Sequence, residues 1–170
     1  DRNGSMKYDP PKGVTVAYNR LNLPEKATFS ANDYLAYAYD ASGRKLVKKT
    51  SGTNATGAVR TDYSGDYLYE DNKLKCIFTS NGRVVPLQNN GSVLYKFEYN
   101  LTDHLGNVSA VFAGHANGRP ELMQTTDYYP FGMVMAQQNF YADTITPNRY
   151  LYNGKEIQND VLAGTSLDWF

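Results

Sequence analysis

The sequence predicts a mainly β protein built from antiparallel hairpins, and three observations lead to that prediction. The 170 residues include 15 tyrosines and 14 glycines but only 7 phenylalanines and one tryptophan, a composition that suits strands and turns. Apolar and polar residues alternate along several segments. A turn with Asp first and Gly fourth recurs at DRNG, DASG and DHLG. We therefore expect hairpin repeats that form one curved, twisted sheet, with under about a tenth of the residues helical.

The longest alternating segment is residues 93–102. One face carries Val93, Tyr95, Phe97, Tyr99 and Leu101, and the other carries Lys96, Glu98, Asn100 and Thr102. This period of two predicts a half-buried strand.

The five residues that follow raise the question of a catalytic pair, because Asp103 stands beside His104. The alternation resumes at Val108, which favours a hairpin connection instead. Asp103 can accept a hydrogen bond from a backbone amide two residues on, and Gly106 can adopt the positive φ that closes the loop. His104 is then expected at the turn tip, facing water.

The same turn pattern is predicted elsewhere. YPFG replaces Asp with Tyr but has proline second, which favours a type I turn. The spacing is loose, about 20 residues or multiples of that, as in a hairpin repeat with variable loops. The residues predicted to shape turns are Asp40, Gly43, Asp103, Gly106, Asn107, Pro130 and Gly132. A short helical turn is expected only within EIQNDVLAG.

Charge and residue counts argue against several functions. The 17 basic and 17 acidic residues cancel without a basic stripe, so a nucleic-acid partner is not expected. No apolar run approaches the roughly 18 residues of a membrane span, so this segment is not expected to insert into a membrane. The single cysteine, Cys76, is interpreted as a small buried hydrophobe. His104 and His115 lack carboxylates at metal spacing, so we expect no metal site. No nucleophile elbow, phosphate-binding glycine loop or HExxH motif appears, so we expect no cofactor and no catalytic site.

The tyrosines allow two interpretations. In the first, they pack in the core of the sheet and at its solvent-exposed edge, where sheets commonly place aromatic rings. In the second, they form an aromatic platform that stacks on sugar rings. The candidates for glycan contact are Tyr37, Tyr39, Tyr67, Tyr69, Tyr95 and Tyr99.

Four motifs resemble the Rhs/YD-repeat proteins, in particular the repeat-associated core of Bacteroidetes-type members. YDASGRKL is similar to the YD repeat itself, and LTDHLGNV, YYPFGM and YLYNGKEIQND are similar to successive landmarks of the core. The resemblance implies YD-repeat-like hairpins over residues 1–90 and the start of the core over 91–170, truncated at its C-terminus.

The resemblance also implies a function. In that family the repeats build a hollow β-shell around a variable C-terminal toxin, so this chain is expected to be a non-catalytic structural segment of such a shell. Its expected partners are the rest of its own full-length chain and an encapsulated effector, outside the cell or on the surface of a bacterium. A carbohydrate-binding surface module is the alternative, and an enzyme ranks third.

The ends of the fragment predict one further property. Cutting such a sheet exposes strand edges that can pair with another chain. The C-terminal stretch AGTSLDWF carries one charge, and Leu167, Trp169 and Phe170 are expected to have lost their packing partners. Self-association through this edge is therefore expected.

Overall fold

The computed structural model describes residues 3–52, 58–89, 91–115, 117–135, 140–141 and 146–168. These residues form fifteen strands and two three-residue 3-10 segments. Every strand pair recorded among them is antiparallel. The predicted mainly β, antiparallel hairpin fold is confirmed. None of the helical segments in these residues has the length and apolar character that a membrane crossing requires.

The chain divides into two compact units, and the first comprises Asp1–Leu74 with Asn159–Leu167. Its strands pair with their neighbours in chain order. They are β1 (Tyr8–Asp9), β2 (Val14–Tyr18), β3 (Pro24–Thr28), β4 (Tyr34–Tyr39), β5 (Lys45–Ser51), β6 (Val59–Ser64) and β7 (Tyr67–Glu70).

The second unit comprises Lys75–Gln158 with Asp168–Phe170. Its strands are β8 (Lys73–Thr79), which begins in the first unit, β9 (Gly82–Asn89), β10 (Ser92–Thr102), β11 (Val108–Gly114), β12 (Pro120–Thr125) and β13 (Phe140–Tyr141). The 3-10 segments are Pro130–Gly132 and Tyr152–Gly154. The predicted boundary near residue 90 concerns motif families and stays a prediction.

The tail of the chain returns to the first unit as a small hairpin, β14 (Val161–Leu162) with β15 (Thr165–Ser166). The ammonium of Lys12 donates to the carbonyl oxygens of Ser166, at 3.0 Å, and of Leu167. The buried ammonium of Lys48 lies 3.1 Å from a carboxylate oxygen of Asp160. These bonds hold the tail against the unit.

Two expectations about this tail are wrong. Leu167 has not lost its packing, because only 1% of its surface is exposed. EIQNDVLAG forms no helical turn, because Val161 and Leu162 pair as a strand with Thr165 and Ser166. Trp169 and Phe170 lie outside the described residues, so self-association through this edge stays a prediction.

The core of the second unit lies between β11, β12 and residues 146–158, which we call the strap. Val108, Val111, Ala113 and Met123 supply the strand side, and Leu151 and Ile157 supply the strap side. Val111 and Met123 are fully buried in this core, whereas Phe112 is half-buried and Leu122 is 38% exposed.

Strand β10 has the predicted alternation but the opposite burial. We call Val93, Tyr95, Phe97, Tyr99 and Leu101 the apolar row; their exposed fractions run from 47% to 58%. Glu98, on the polar face, is only 2% exposed. Lys96 and Asn100 on that face are half-buried and Thr102 is exposed. The polar face is therefore the more buried one, and its burial centres on Glu98, which pairs with Arg83 of β9.

Candidate functional site

The turns at Asp40 and Asp103 have the same pattern of hydrogen bonds. Each aspartate amide donates to the carbonyl four residues on, at 2.9 Å, and each aspartate carbonyl accepts from the glycine three residues on, at 3.1 Å. Each carboxylate also accepts from the amides two and four residues on, at 2.8 to 2.9 Å. Gly43 and Gly106 have φ of 86° and 84°, where glycine has no steric penalty.

These hydrogen bonds stabilise the charged carboxylates. The hydroxyl of Ser42 and the amide of Arg44 lower the pKa of Asp40. The backbone and side-chain amides of Asn107 lower the pKa of Asp103. His104 is exposed at the tip of the second turn, so it lies where the turn interpretation expects it.

Two more turns of this kind lie in NRLNLPE and HANGRPE, which the sequence indicates as connections without indicating this hydrogen-bond pattern. Asn19 accepts from the amides of Leu21 and Leu23 at 2.9 and 3.0 Å, and Asn22 takes the glycine place with φ of 58°. Asparagine can accept these amide hydrogen bonds and can adopt a positive φ, so the NRLN sequence is compatible with this turn. In the other turn, Nδ1 of His115 accepts from the amide of Asn117 at 3.3 Å. His115 therefore caps a turn.

The YPFG turn differs from its prediction. The amide of Gly132 donates to the carbonyl of Tyr129 at 3.1 Å, which closes the turn around Pro130. Phe131, the third residue, has φ of 69° and ψ of 16°. A positive φ there marks a type II turn, so the type I expectation is wrong. Glycine or asparagine normally fills this place, and phenylalanine was not foreseen in it.

Three tyrosines that directly precede turns fasten them to earlier parts of the chain. The hydroxyls of Tyr18 and Tyr39 donate to the carbonyls of Met6 and Pro24, both at 2.8 Å. The hydroxyl of Tyr128 donates to the carbonyl of Val108 at 2.7 Å. Burial raises the pKa of Tyr39. This gives the tyrosine of the YD dipeptide a structural role.

The other tyrosines proposed for glycan contact have varied environments. Tyr37 is half-buried, with its ring centroid 6.4 Å from that of Tyr39 and the ammonium of Lys45 5.3 Å above it. Tyr67 is 46% exposed, and Tyr69 is half-buried and lines a cleft with Arg60, Asp62 and Asn72. Tyr95 and Tyr99 belong to the exposed apolar row.

The apolar row continues onto neighbouring strands. Phe97 pairs with Val84 of β9, and Tyr99 pairs with Phe112 of β11. Phe112 pairs in turn with Leu122 of β12, which is 38% exposed. Val84 is only 8% exposed and Phe112 is half-buried, so the exposed part of this surface is the apolar row with Leu122. An exposed apolar row of this kind is typical of a face that contacts something other than water.

The opposite face of the same strands binds the strap through buried polar groups. Nε of Arg83 donates to Glu98 at 2.6 Å, and Nη2 of Arg83 donates to the carbonyl of Thr146 at 2.6 Å. The side-chain amide of Gln124 exchanges hydrogen bonds with the backbone of Asn148, at 2.7 and 3.2 Å. The polar residues of these strands therefore hold the strap.

Three sequence motifs meet around the ring of Tyr152. Gly132 lies so close that an added Cβ would be 2.6 Å from Cγ of that ring. The ring centroids of Tyr128 and Tyr152 are 5.9 Å apart. Oδ1 of Asn107 accepts from the amide of Asn153 at 3.0 Å. LTDHLGNV, YYPFGM and YLYNGKE are thus parts of one structural junction.

The described residues offer little for nucleophilic or metal chemistry. Cys76 is 3% exposed, and burial raises the pKa of its thiol to about 11, so the thiol is protonated at neutral pH. No group of three or more His, Cys, Asp or Glu side chains in the described part of the chain is arranged to hold a metal ion.

Comparison with solved structures shows that the chain shares its antiparallel β fold with part of a larger protein complex. The crystal structure of TcdB2-TccC3-TEV matches 92% of this chain with a TM-score of 0.59 and 15% identity. The crystal structure of TcdB2-TccC3 without its hypervariable C-terminal region matches 90% with a TM-score of 0.59 and 14% identity. The matched part is 8% of each of those chains. No family model and no curated protein matches the chain.

Proposed function

We propose that this chain is a non-catalytic wall segment of a β-shell that encapsulates or displays a C-terminal effector. The observation that carries the proposal is the exposed apolar row of β10. Such a surface in bulk water promotes association, and the strap occupies the opposite face. We infer that the apolar row faces the enclosed space and contacts the effector there.

The structural comparisons support this proposal at the level of fold. Solved structures of TcdB2-TccC3 share the fold, and one was determined without a hypervariable C-terminal region. A protein of this fold thus has a variable region at its C-terminus, which fits an exchangeable effector. A match to 8% of each of those chains fits a structural segment of a longer protein.

The motifs support a narrower proposal. LTDHLGNV, YYPFGM and YLYNGKE form one junction, as parts of a single core should. We infer that the chain is part of a Bacteroidetes-type repeat-associated core, in a protein that acts outside the cell or on the surface of a bacterium. Its partners would be the rest of its own chain and the effector. Glycan binding by the tyrosines stays a prediction, since no described contact favours it.

Photo-crosslinking in the full-length protein tests the proposal. A benzophenone amino acid at Phe97 should crosslink to the C-terminal region of the same chain, as identified by mass spectrometry. The matched control is the same amino acid at Lys155, which is exposed on the strap and should give no such crosslink. Equal crosslinking from both positions, or none from Phe97, would overturn the proposal.

A further inference from the structure

A cleft of about 320 Å³ lies in the second unit, where the chain turns from β11 into β12. Tyr99 and Phe112 contribute rings to its lining, and Gly114 and Pro120 lie beside them. Arg119 is the only charged residue among the described ones that line it. Ligand pockets span roughly 300 to 1,000 Å³, so a cleft of this size suits one or two side chains.

The cleft opens on the face of the sheet that carries the apolar row. Tyr99 of that row pairs with Phe112, and directly paired residues project from the same face. The register between β11 and β12 is regular from Phe112 to Gly114, so the position of Gly114, two residues further, belongs to this face as well. The cleft is therefore a recess that adjoins the apolar row.

The missing side chain of Gly114 contributes to the recess. An added Cβ at this position would meet no atom within 4 Å. Phe112 pairs with Leu122, whereas Gly114 pairs with Pro120, so the second pair leaves space that the first pair fills. An apolar side chain placed there from outside would bury its own surface against the rings.

The turn between β11 and β12 positions Arg119 beside this recess. The amide of Arg119 donates to Oδ1 of Asn117 at 3.0 Å, and its carbonyl accepts from the amide of His115 at 3.0 Å. The side chain is exposed, and none of the ion pairs in the described part of the chain includes it. A guanidinium beside apolar rings complements a ligand that joins an apolar group to a carboxylate.

We propose that this cleft binds an extended polypeptide segment with an apolar side chain and, two residues further, an aspartate or glutamate. The apolar side chain packs over Gly114 against Tyr99 and Phe112, and the carboxylate pairs with Arg119. Residues two apart in an extended segment project to the same side, so both side chains can reach the cleft. The apolar row extends the contact along β10, which favours a polypeptide over a small molecule.

This inference rests on the proposed function, because the segment would belong to the effector that contacts the apolar row. It adds that the effector is recognised through acidic residues spaced two positions from apolar ones.

An NMR titration of the 170-residue chain tests the proposal. The peptide acetyl-Leu-Ala-Glu-amide should shift the amides of Ala113, Gly114, Gly118 and Arg119, with saturation at millimolar concentration. Acetyl-Leu-Ala-Gln-amide has nearly the same shape but no charge, and should bind about two- to fivefold more weakly, as expected for an exposed ion pair. Acetyl-Ala-Ala-Glu-amide lacks the apolar side chain and should not saturate. Equal binding of all three peptides would overturn the proposal.

Two variants separate binding from folding. Gly114→Val should keep the fold, because the backbone there is not left-handed and valine suits a strand, but its side chain fills the recess and should abolish peptide binding. Arg119→Gln should remove the preference for the glutamate peptide over the glutamine peptide. Arg20→Gln, at an exposed site in the first unit, is the matched control and should keep that preference.

The variants and two further measurements can contradict the proposal. Undiminished binding by Gly114→Val, or an unchanged preference in Arg119→Gln, would overturn it. Octanoate that shifts the same amides where the peptide does not would assign the cleft to a fatty acid. Shifts of these amides on dilution of the chain alone would assign it to a second copy, and either result would overturn the proposal. The crosslink from Phe97 requires neither Gly114 nor Arg119, so a failed titration would overturn this inference without overturning the shell role.

Discussion

Strands β2 and β10 share one alternation and use it in opposite ways. In β2 the apolar residues Val14 and Val16 are buried, while Thr15 and Ala17 between them are exposed. In β10 the apolar residues are exposed, and Glu98 between Phe97 and Tyr99 is buried. An alternating pattern therefore defines two faces without saying which is covered.

In each unit, polar side chains bind a later segment of the chain. In the first unit, Lys12 and Lys48 hold the tail through its carbonyls and Asp160. In the second unit, Arg83 and Gln124 hold the strap. In the second unit, basic and amide side chains that bind a covering backbone thus mark the covered face, even though apolar residues occupy the other one.

The largest expected effect comes from Arg83→Met. It leaves Glu98 buried without its ion partner, which should lower the free energy of unfolding by about 3 to 5 kcal/mol. Urea unfolding measures it. The double substitution Arg83→Met with Glu98→Leu removes both charges and should recover most of the loss. A single variant that loses under about 1 kcal/mol would show that this pair does not hold the strap.

Gly132→Ala should be the next most damaging change. The added Cβ would meet the Tyr152 ring at 2.6 Å, at a φ of 91°. Overpacking and backbone strain together should cost about 2 to 4 kcal/mol. Gly106→Ala is the matched control, since nothing lies within 4 Å of its Cβ position, and should cost only about 1 kcal/mol. Equal costs would mean that the two motifs do not meet at Tyr152.

Tyr39→Phe should have a smaller effect. It removes the hydroxyl that donates to the carbonyl of Pro24, which should cost about 1 to 1.5 kcal/mol. Tyr8→Phe, at a site that is 54% exposed, should change thermal stability by less than about 0.5 kcal/mol. If both variants melt alike, the hydroxyl does not fasten the turn.

Phe97→Thr should have the smallest effect of the four. Threonine keeps the preference for strands, and the ring it replaces is 56% exposed. We expect the free energy of unfolding to fall by under about 1 kcal/mol. Truncating a phenylalanine in a core lowers it by roughly 3 to 5 kcal/mol. Chemical denaturation of the 170-residue chain measures the difference.

Local features of the fold could be predicted from the sequence. The hydrogen bonds of a turn involve only four or five consecutive residues, so DASG and DHLG could be identified as turns from the sequence. Their aspartates accept the amide hydrogen bonds and their glycines adopt a positive φ. The turn at Asn19 could have been found by allowing asparagine in both special positions. The turn type at Phe131 could not, since residue preferences there favour glycine or asparagine.

Long-range features lay beyond the sequence pattern. The burial of Glu98 depends on Arg83, 15 residues earlier in the chain, and on the strap, which begins dozens of residues later. The burial of Leu167 depends on a tail that returns to the first unit. The junction around Tyr152 depends on three motifs that are separate in the chain, so no local sequence pattern could predict it.

The most direct test of the reversed burial compares two adjacent residues of β10. Phe97→Thr is a drastic change on the exposed face, and Glu98→Gln is a nearly isosteric change on the buried face. We predict that Glu98→Gln lowers the free energy of unfolding by about 3 kcal/mol, because Arg83 loses its counter-charge. Phe97→Thr should lower it by under about 1 kcal/mol. A larger loss for Phe97→Thr than for Glu98→Gln would contradict it.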